Sequence, residues 1–260
     1  MKLRSNLLAS NWGRKKKFYN LFGLLHGPIT FEDGFIRSVK SSTCLSIISD
    51  NKGVYYDATK ISSLENLINS AADIERASLI CKLWKFYGIS KYNAERDYHC
   101  NLPSKYILVV DQIKGDLSVK YGLASKSNFQ RMLNSALLDY PNHILVLKTH
   151  PDVFTKKKKG YFRLKDISEN PRIQIITNNC HPVRLIRESD AVYTVTSQIG
   201  FEGLIWGKKV KCFGMPFYAG WGLTGDVLEA PERRKNVALD QLVYAALVKY
   251  PVYTDPETNK

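Results

Sequence analysis

Apolar positions follow two different patterns along this chain. From Tyr106 onward, short and largely apolar runs recur at Tyr106–Val110, Ile144–Leu147, Ile173–Ile176, Ala191–Val195 and Val210–Phe213. Between them lie stretches of helical period. Ser127, with Gln130 three residues on, predicts a capped helix to Tyr140, and further helices are expected over Pro182–Glu188, Gly200–Trp206 and Leu239–Tyr250. Strands that are apolar on both faces and alternate with helices predict a parallel sheet covered on both sides.

The first hundred residues are less regular. Ser62 and Glu65 stand at capping-box spacing before one helix, and Asp73 is placed to open another that runs to Tyr87. The polar stretch Gly88–Lys105, ending Asn101-Leu102-Pro103-Ser104, reads as a linker. Two units follow, an amino-terminal α/β domain over residues 1–100 and a carboxy-terminal Rossmann-like domain over 101–260.

Composition narrows the class. With 260 residues, 44% hydrophobic and 24% charged, the chain is globular and long enough for one large or two small domains. Apolar stretches such as Ala245–Val248 fall far short of the roughly 20 residues that span a bilayer. No apolar segment of signal-peptide length follows Met1-Lys2-Leu3-Arg4. The five cysteines are scattered without a C-x-x-C pair, which predicts a reducing, cytoplasmic setting with neither a disulfide framework nor a structural zinc.

A net charge of +14, with basic clusters at Arg14–Lys17 and Lys156–Lys159, favours anionic partners. An anionic membrane face, met peripherally, is the expected surface. Nucleic acid is not, since no RRM, KH or helix-turn-helix signature is present. Charge and composition do not reveal the oligomeric state.

Open parallel sheets bind ligands in the loops beyond the carboxyl ends of their strands. Here those loops are polar: Asp111–Gly122 after the first strand, Lys148-Thr149-His150-Pro151-Asp152 after the second, Thr196–Glu202 after the fourth and Gly214–Gly222 after the fifth. They supply hydroxyls and amides for phosphate, a carboxylate for ribose and a carboxylate for an anomeric carbon. Each feature also fits a plain structural role: His150-Pro151 as a turn, Ser197-Gln198 as a helix cap, Glu202 as a complement to the helix dipole, Asp116 as a turn residue beside Gly115. Their joint occurrence at successive strand ends is what points to a sugar-nucleotide site. No G-x-x-x-x-G-K-[ST] loop, G-x-G-x-x-G fingerprint, G-x-S-x-G elbow or metal-ligand spacing is present, so no metal or cofactor is expected.

Several ordered motifs carry a more specific resemblance: Phe31-Glu32-Asp33-Gly34-Phe35-Ile36-Arg37-Ser38, Gly53-Val54-Tyr55-Tyr56-Asp57-Ala58, Asp116-Leu117-Ser118-Val119-Lys120-Tyr121-Gly122, Lys148-Thr149-His150-Pro151, Thr196-Ser197-Gln198-Ile199-Gly200-Phe201-Glu202 and Gly214-Met215-Pro216-Phe217-Tyr218-Ala219-Gly220-Trp221-Gly222. In this order they resemble one module of the KpsC/LipB-type capsule β-Kdo transferases, from about Trp12 to Pro256. The resemblance implies a GT-B-like fold of two Rossmann-like domains, with parallel sheets facing a cleft. It implies retaining transfer of Kdo from CMP-β-Kdo to a Kdo/phosphatidylglycerol-type glycolipid acceptor.

By the same resemblance His150, Pro151, Ser197, Gln198 and Glu202 would hold CMP, with Lys148 and Gly214 in the same loops. Asp116 would be the nucleophile, and Glu32 or Asp33 the base facing it. Arg37, Lys120 or Lys148 could clamp the sugar carboxylate. Family modules usually carry additional chain at both ends, so the alternative is a trimmed module that binds the donor without turning it over.

Overall fold

The computed structural model of the chain describes residues 10–12, 29–39, 44–95, 97, 101–150, 153 and 157–255. The Arg14–Lys17 cluster, Cys100, Pro151, Asp152, Lys156 and Pro256 lie outside the described residues.

Six parallel strands form the larger sheet, in the order β6-β5-β4-β7-β8-β9. They are β4 (Tyr106–Val110), β5 (Ile144–Lys148), β6 (Ile173–Ile176), β7 (Ala191–Thr194), β8 (Lys209–Cys212) and the two-residue β9 (Gly225–Asp226). β4 is buried along its whole length and splits its side chains by the two-residue period of a strand. Ile107 and Val109 pack with Phe129, Met132 and Leu133, whereas Tyr106, Leu108 and Val110 join the cluster holding Phe201, Leu204 and Ile205. A strand wetted on neither face has no polar positions to spare, which is why the run read as continuously apolar.

The helices of this unit are α3 (Leu117–Tyr121), α4 (Lys126–Asp139), α5 (Leu164–Ser168), α6 (Val183–Glu188), α7 (Ile199–Ile205) and α8 (Leu239–Tyr244). The cap of α4 lies two residues before the expected one: Ser125 is the N-cap, and its N–H donates to Asn128 Oδ1 at 2.9 Å. Asn128 is buried and also donates to the Phe213 carbonyl at 2.6 Å, so a tertiary bond selects this cap over the Ser127-Gln130 pair. The closing helix changes to π-helical over Ala245–Lys249.

The smaller sheet has the order β1-β2-β3-β10, with β1 (Ser10–Trp12), β2 (Ile29–Asp33), β3 (Ser46–Asp50) and β10 (Pro251–Tyr253). It is not parallel as expected. Only β1 and β2 run parallel, while β2–β3 and β3–β10 are antiparallel. Among the described residues between β2 and β3 there is no crossover helix of the kind a parallel pair requires. Nor does a single boundary at residue 100 follow the sheets, because β10 comes from the end of the chain.

α1 (Ser63–Ile68) is capped by Ser62, whose Oγ accepts from Glu65 N–H at 3.3 Å, and α2 (Ile74–Tyr87) is capped by Asp73. Both match the expected starts. The two units share one core in which Phe35, Ile48, Leu64 and Trp84 pack continuously with Phe201, Phe217 and Leu242. The expected linker is accordingly pinned down rather than loose: Arg37 N–H donates to the Lys91 carbonyl at 2.8 Å, and Ser90 and Lys91 both reach Glu202.

Candidate active site

The carboxyl ends of β4, β5 and β7 open into a cleft of ≈ 1390 Å³ whose other wall is the β2 turn and the 90–95 segment. Of the residues expected at the site, Asp116, Glu32, Asp33, Lys148, His150, Ser197, Gln198, Glu202 and Arg37 line this one cleft. Gly214 and Lys120 do not. A Cβ on Gly214 would come within 2.8 Å of Thr196 Cγ2 and 3.0 Å of two carbonyl oxygens, so this glycine serves the close packing of two strand-end loops. Lys120 Nζ sits 5.6 Å from the centroid of the Tyr121 ring. Pro151 lies outside the described residues.

Asp116 ends the loop after β4 and caps the short helix α3, its Oδ1 accepting from Ser118 N–H at 2.9 Å. Across the cleft, Glu32 is held above the ordinary carboxylic range, chiefly by burial and secondarily by the Asp33 charge, while the Asp33 N–H and Lys91 pull the other way. Tyr55 connects the two walls: burial first, then Glu32, Tyr56 and Asp116, all push its hydroxyl well above its usual value. Both carboxylates therefore act on one tyrosine. Asp33 is engaged differently, in a 2.6 Å ion pair with Arg37 Nε. That pair occupies one of the three cations expected to clamp a sugar carboxylate and makes Glu32 the less committed of the two acids.

The loops on the sheet side lock one another. Gln112 Oε1 accepts from Thr196 N–H at 2.9 Å, and its Nε2 donates to Thr196 Oγ1 at 3.0 Å and Ser118 Oγ at 3.3 Å. Ser197 Oγ accepts from Ile199 N–H at the start of α7, and Tyr218 donates to the Ser197 carbonyl. Gln198 crosses the cleft, its Nε2 donating to the Phe35 carbonyl at 2.6 Å. Lys148 is buried at the end of β5, with Nζ 3.5 Å from the Cys180 carbonyl.

Glu202 is fully buried, which raises its carboxyl to about 7, and its oxygens accept from Ser90 Oγ at 2.7 Å and Lys91 N–H at 3.2 Å. The residue expected to meet ribose is thus already bonded to the segment that crosses between the sheets. Lys91 lies close enough to lower both Glu202 and Glu32, so one cation acts on carboxyls of both walls.

Sequence reasoning missed Asp111. Its carboxyl is pushed up to about 6 by burial, against the opposing N–H bonds from Gln112 at 2.8 Å and Tyr161 at 3.1 Å. Among the described residues Oδ2 is buried with no hydrogen-bond partner, and Gly160 passes so close that a Cβ there would collide with it. Asp111 therefore clamps the Lys157–Tyr161 loop onto β4. Lys114 N–H adds a 2.7 Å bond to the Lys159 carbonyl, and the side chains of Lys114, Lys157 and Lys159 line the cleft. The cue in the sequence is Gly160-Tyr161-Phe162, whose partner lies 50 residues upstream.

A parallel sheet whose strand-end loops face a second α/β unit across a polar cleft is a GT-B-like arrangement. The chain belongs to the family described as "Capsule polysaccharide biosynthesis protein", which matches residues 28–98 and 77–254. It is 37% identical over 254 residues to the capsule polysaccharide modification protein LipA of Neisseria meningitidis serogroup B, covering 89% of this chain and 36% of LipA. To the lipopolysaccharide-processing protein LpsZ of Rhizobium meliloti it is 35% identical, covering 85% of this chain and 53% of LpsZ. The chain thus spans between about a third and a half of these curated relatives.

Among solved structures, the KpsC β-Kdo 2,4 transferase of Thermosulfurimonas dismutans superposes with a TM-score of 0.83 at 40% identity, covering 90% of this chain and 75% of that one. The β-Kdo 2,7 transferase of the same organism's KpsC gives 0.70 at 33% identity, covering 90% and 73%.

Proposed function

We propose that this chain is a retaining β-Kdo transferase module that takes Kdo from CMP-β-Kdo and adds it to a Kdo-bearing glycolipid of the capsule linker. The supporting observation is the likeness to the KpsC β-Kdo 2,4 transferase along 90% of the chain. It is reinforced by a cleft with Asp116 on one wall and Glu32 on the other.

In this reading the Asp116 carboxylate attacks the anomeric carbon as the bond to the CMP phosphate oxygen breaks, leaving a Kdo ester on Asp116 and releasing CMP. Glu32 then takes the proton of the acceptor hydroxyl, whose oxygen attacks the same carbon and frees Asp116. Two inversions give retention. Burial suits Glu32 to the second step, because a carboxyl with a raised pKa is a stronger base once ionised. His150, Ser197 and Gln198 would meet the nucleotide, and Lys148 the departing phosphate. Lys114 and Lys159 are better placed than Arg37 or Lys120 for the sugar carboxylate, since they share a cleft with Asp116 and Arg37 is paired.

Incubating the protein with CMP-Kdo and no acceptor should leave a Kdo adduct on the Asp116 peptide, detected by mass spectrometry. Asp116→Asn should give neither adduct nor transfer, with CMP affinity by calorimetry nearly unchanged. Transfer by Asp116→Asn at the wild-type rate would end this reading. No Asp-x-Asp pair occurs in the sequence, so turnover in EDTA is expected to equal that with magnesium or manganese.

A further inference from the structure

Helix α2 carries an apolar face that no other described residue covers. Ala77 and Trp84 point inward, at 0% and 1% exposure, and the helix packs against α8 on that side. On the opposite side Leu79, Leu83 and Phe86 stand exposed by 54%, 41% and 80%, with Tyr87 at 70%. Their spacing of four and then three residues sets Leu79, Leu83 and Phe86 in one row along the helix. The Phe86 and Tyr87 rings contact edge to face at 4.9 Å, closing the row at its carboxyl end. Exposed large side chains scattered singly are ordinary, but four gathered on one short helix are not.

The charges around the row indicate its partner. Arg76, Lys82 and Lys85 are exposed on the same helix, against a single exposed acid, Glu75. On a helix of regular pitch Arg76 and Lys82 fall on opposite flanks of the row. Lysine is depleted at protein–protein interfaces, whereas an apolar and aromatic row edged by Lys and Arg is the pattern of helices lying in an anionic bilayer surface. The chain's net charge of +14 adds long-range attraction to that surface.

We infer that α2 is a membrane-docking helix that lays Leu79, Leu83 and Phe86 into the headgroup region of an anionic bilayer, with Arg76, Lys82 and Lys85 on the lipid phosphates. The lysine run at 157–159 is then a cleft feature and not the primary anchor. Docking through α2 also fixes how the cleft is presented. The helix ends at Tyr87, and Ser90, Lys91 and Tyr92, only a few residues on, line the acceptor-side wall. A bilayer touching Phe86 and Tyr87 would therefore lie beside the cleft mouth. This inference rests on the exposed face and its charge, and holds whether or not the proposed chemistry is right.

The test is co-sedimentation of the full chain with vesicles of phosphatidylglycerol and phosphatidylcholine, against vesicles of phosphatidylcholine alone. The wild type should partition to the mixed vesicles. Leu83→Ser with Phe86→Ser should weaken partitioning by about tenfold or more, since two large side chains no longer leave water. Lys82→Glu with Lys85→Glu should weaken it independently. Leu138→Ser, at a residue 79% exposed on α4, should leave it unchanged. All the substituted side chains are exposed, and unchanged circular dichroism will verify folding. Binding of the Leu83/Phe86 variant like the wild type would overturn the inference, as would equal affinity for neutral vesicles. So would a lipid-free oligomer of the wild type that the same variant dissolves, which would make a second copy the occupant.

Discussion

The two walls of the cleft are built by different means. On the sheet side, each candidate residue sits at the end of a buried strand, and the loops bond to one another through Gln112, Thr196 and Ser118. On the other side, Glu32 and Asp33 end a strand that is only half buried along its length, and Arg37 lies in the turn after it. Phe35, in the turn after that strand, packs into the core shared with the sheet side, and Gln198 to the Phe35 carbonyl and Arg37 N–H to Lys91 fix the turn. A preorganised wall suits a nucleotide that must be held still. A half-buried strand leaves its acids open to an entering acceptor.

Substitutions on the two walls should therefore separate. The largest effect is expected at Glu32: Glu32→Gln keeps the shape but removes the proposed base, and kcat should fall by about 100-fold or more with CMP affinity unchanged. Asp33→Asn should affect turnover less, acting through release of Arg37. Equal losses at both positions would mean that the pair works as a unit, which single-turnover kinetics would show.

Next in size is the bond that joins the walls. Ser90→Ala leaves a buried Glu202 oxygen without its 2.7 Å donor and should cost about 1–3 kcal/mol in urea unfolding. Glu202→Ala should weaken both CMP binding and the attachment of the crossing segment. If Ser90→Ala alters stability and leaves KM for the acceptor untouched, the crossing segment does not position the acceptor wall.

The smallest effect is a dependence on pH. Burial lifts Glu202 from 4.5 to about 7, so the folded chain binds a proton there that the unfolded chain has lost. Its contribution to stability is full below the ordinary value and fades as pH rises through about 7. Glu202→Gln should flatten that part of the curve, seen as a smaller difference in urea midpoint between about pH 5 and about pH 8. Asp111 adds a similar fall in a lower window, between 3.8 and about 6, which Asp111→Asn should remove.

The same contrast explains what could be read before the fold was known. β4, β5, β6 and β7 lie within one residue of their expected positions, because strands buried on both faces leave an apolar run that little else imitates. Ile29–Asp33 and Ser46–Asp50 left no such trace. Threonine, serine and acids interrupt both strands, and their partners include the far end of the chain. Asp116 and Glu32 entered through motif resemblance, and the cleft brings them together. Asp111 escaped because its distinguishing feature, an oxygen sealed in by a glycine from another loop, exists only in three dimensions. Gly214 and Lys120 belong to the motifs that carry the resemblance, yet one packs loops and the other lies over Tyr121 outside the cleft lining.

One feature of the topology bears on motion. The chain leaves the smaller sheet through residues 88–105 and returns to it through the π-helical turn into β10, where Tyr250 Oη donates to buried Asp50 at 2.8 Å. A body attached at one point can swing in any direction, but one attached at two can turn only about the line joining them. Here the shared core of Phe35, Phe201 and Phe217 removes that last freedom as well, so Glu32 stays across the cleft from Asp116.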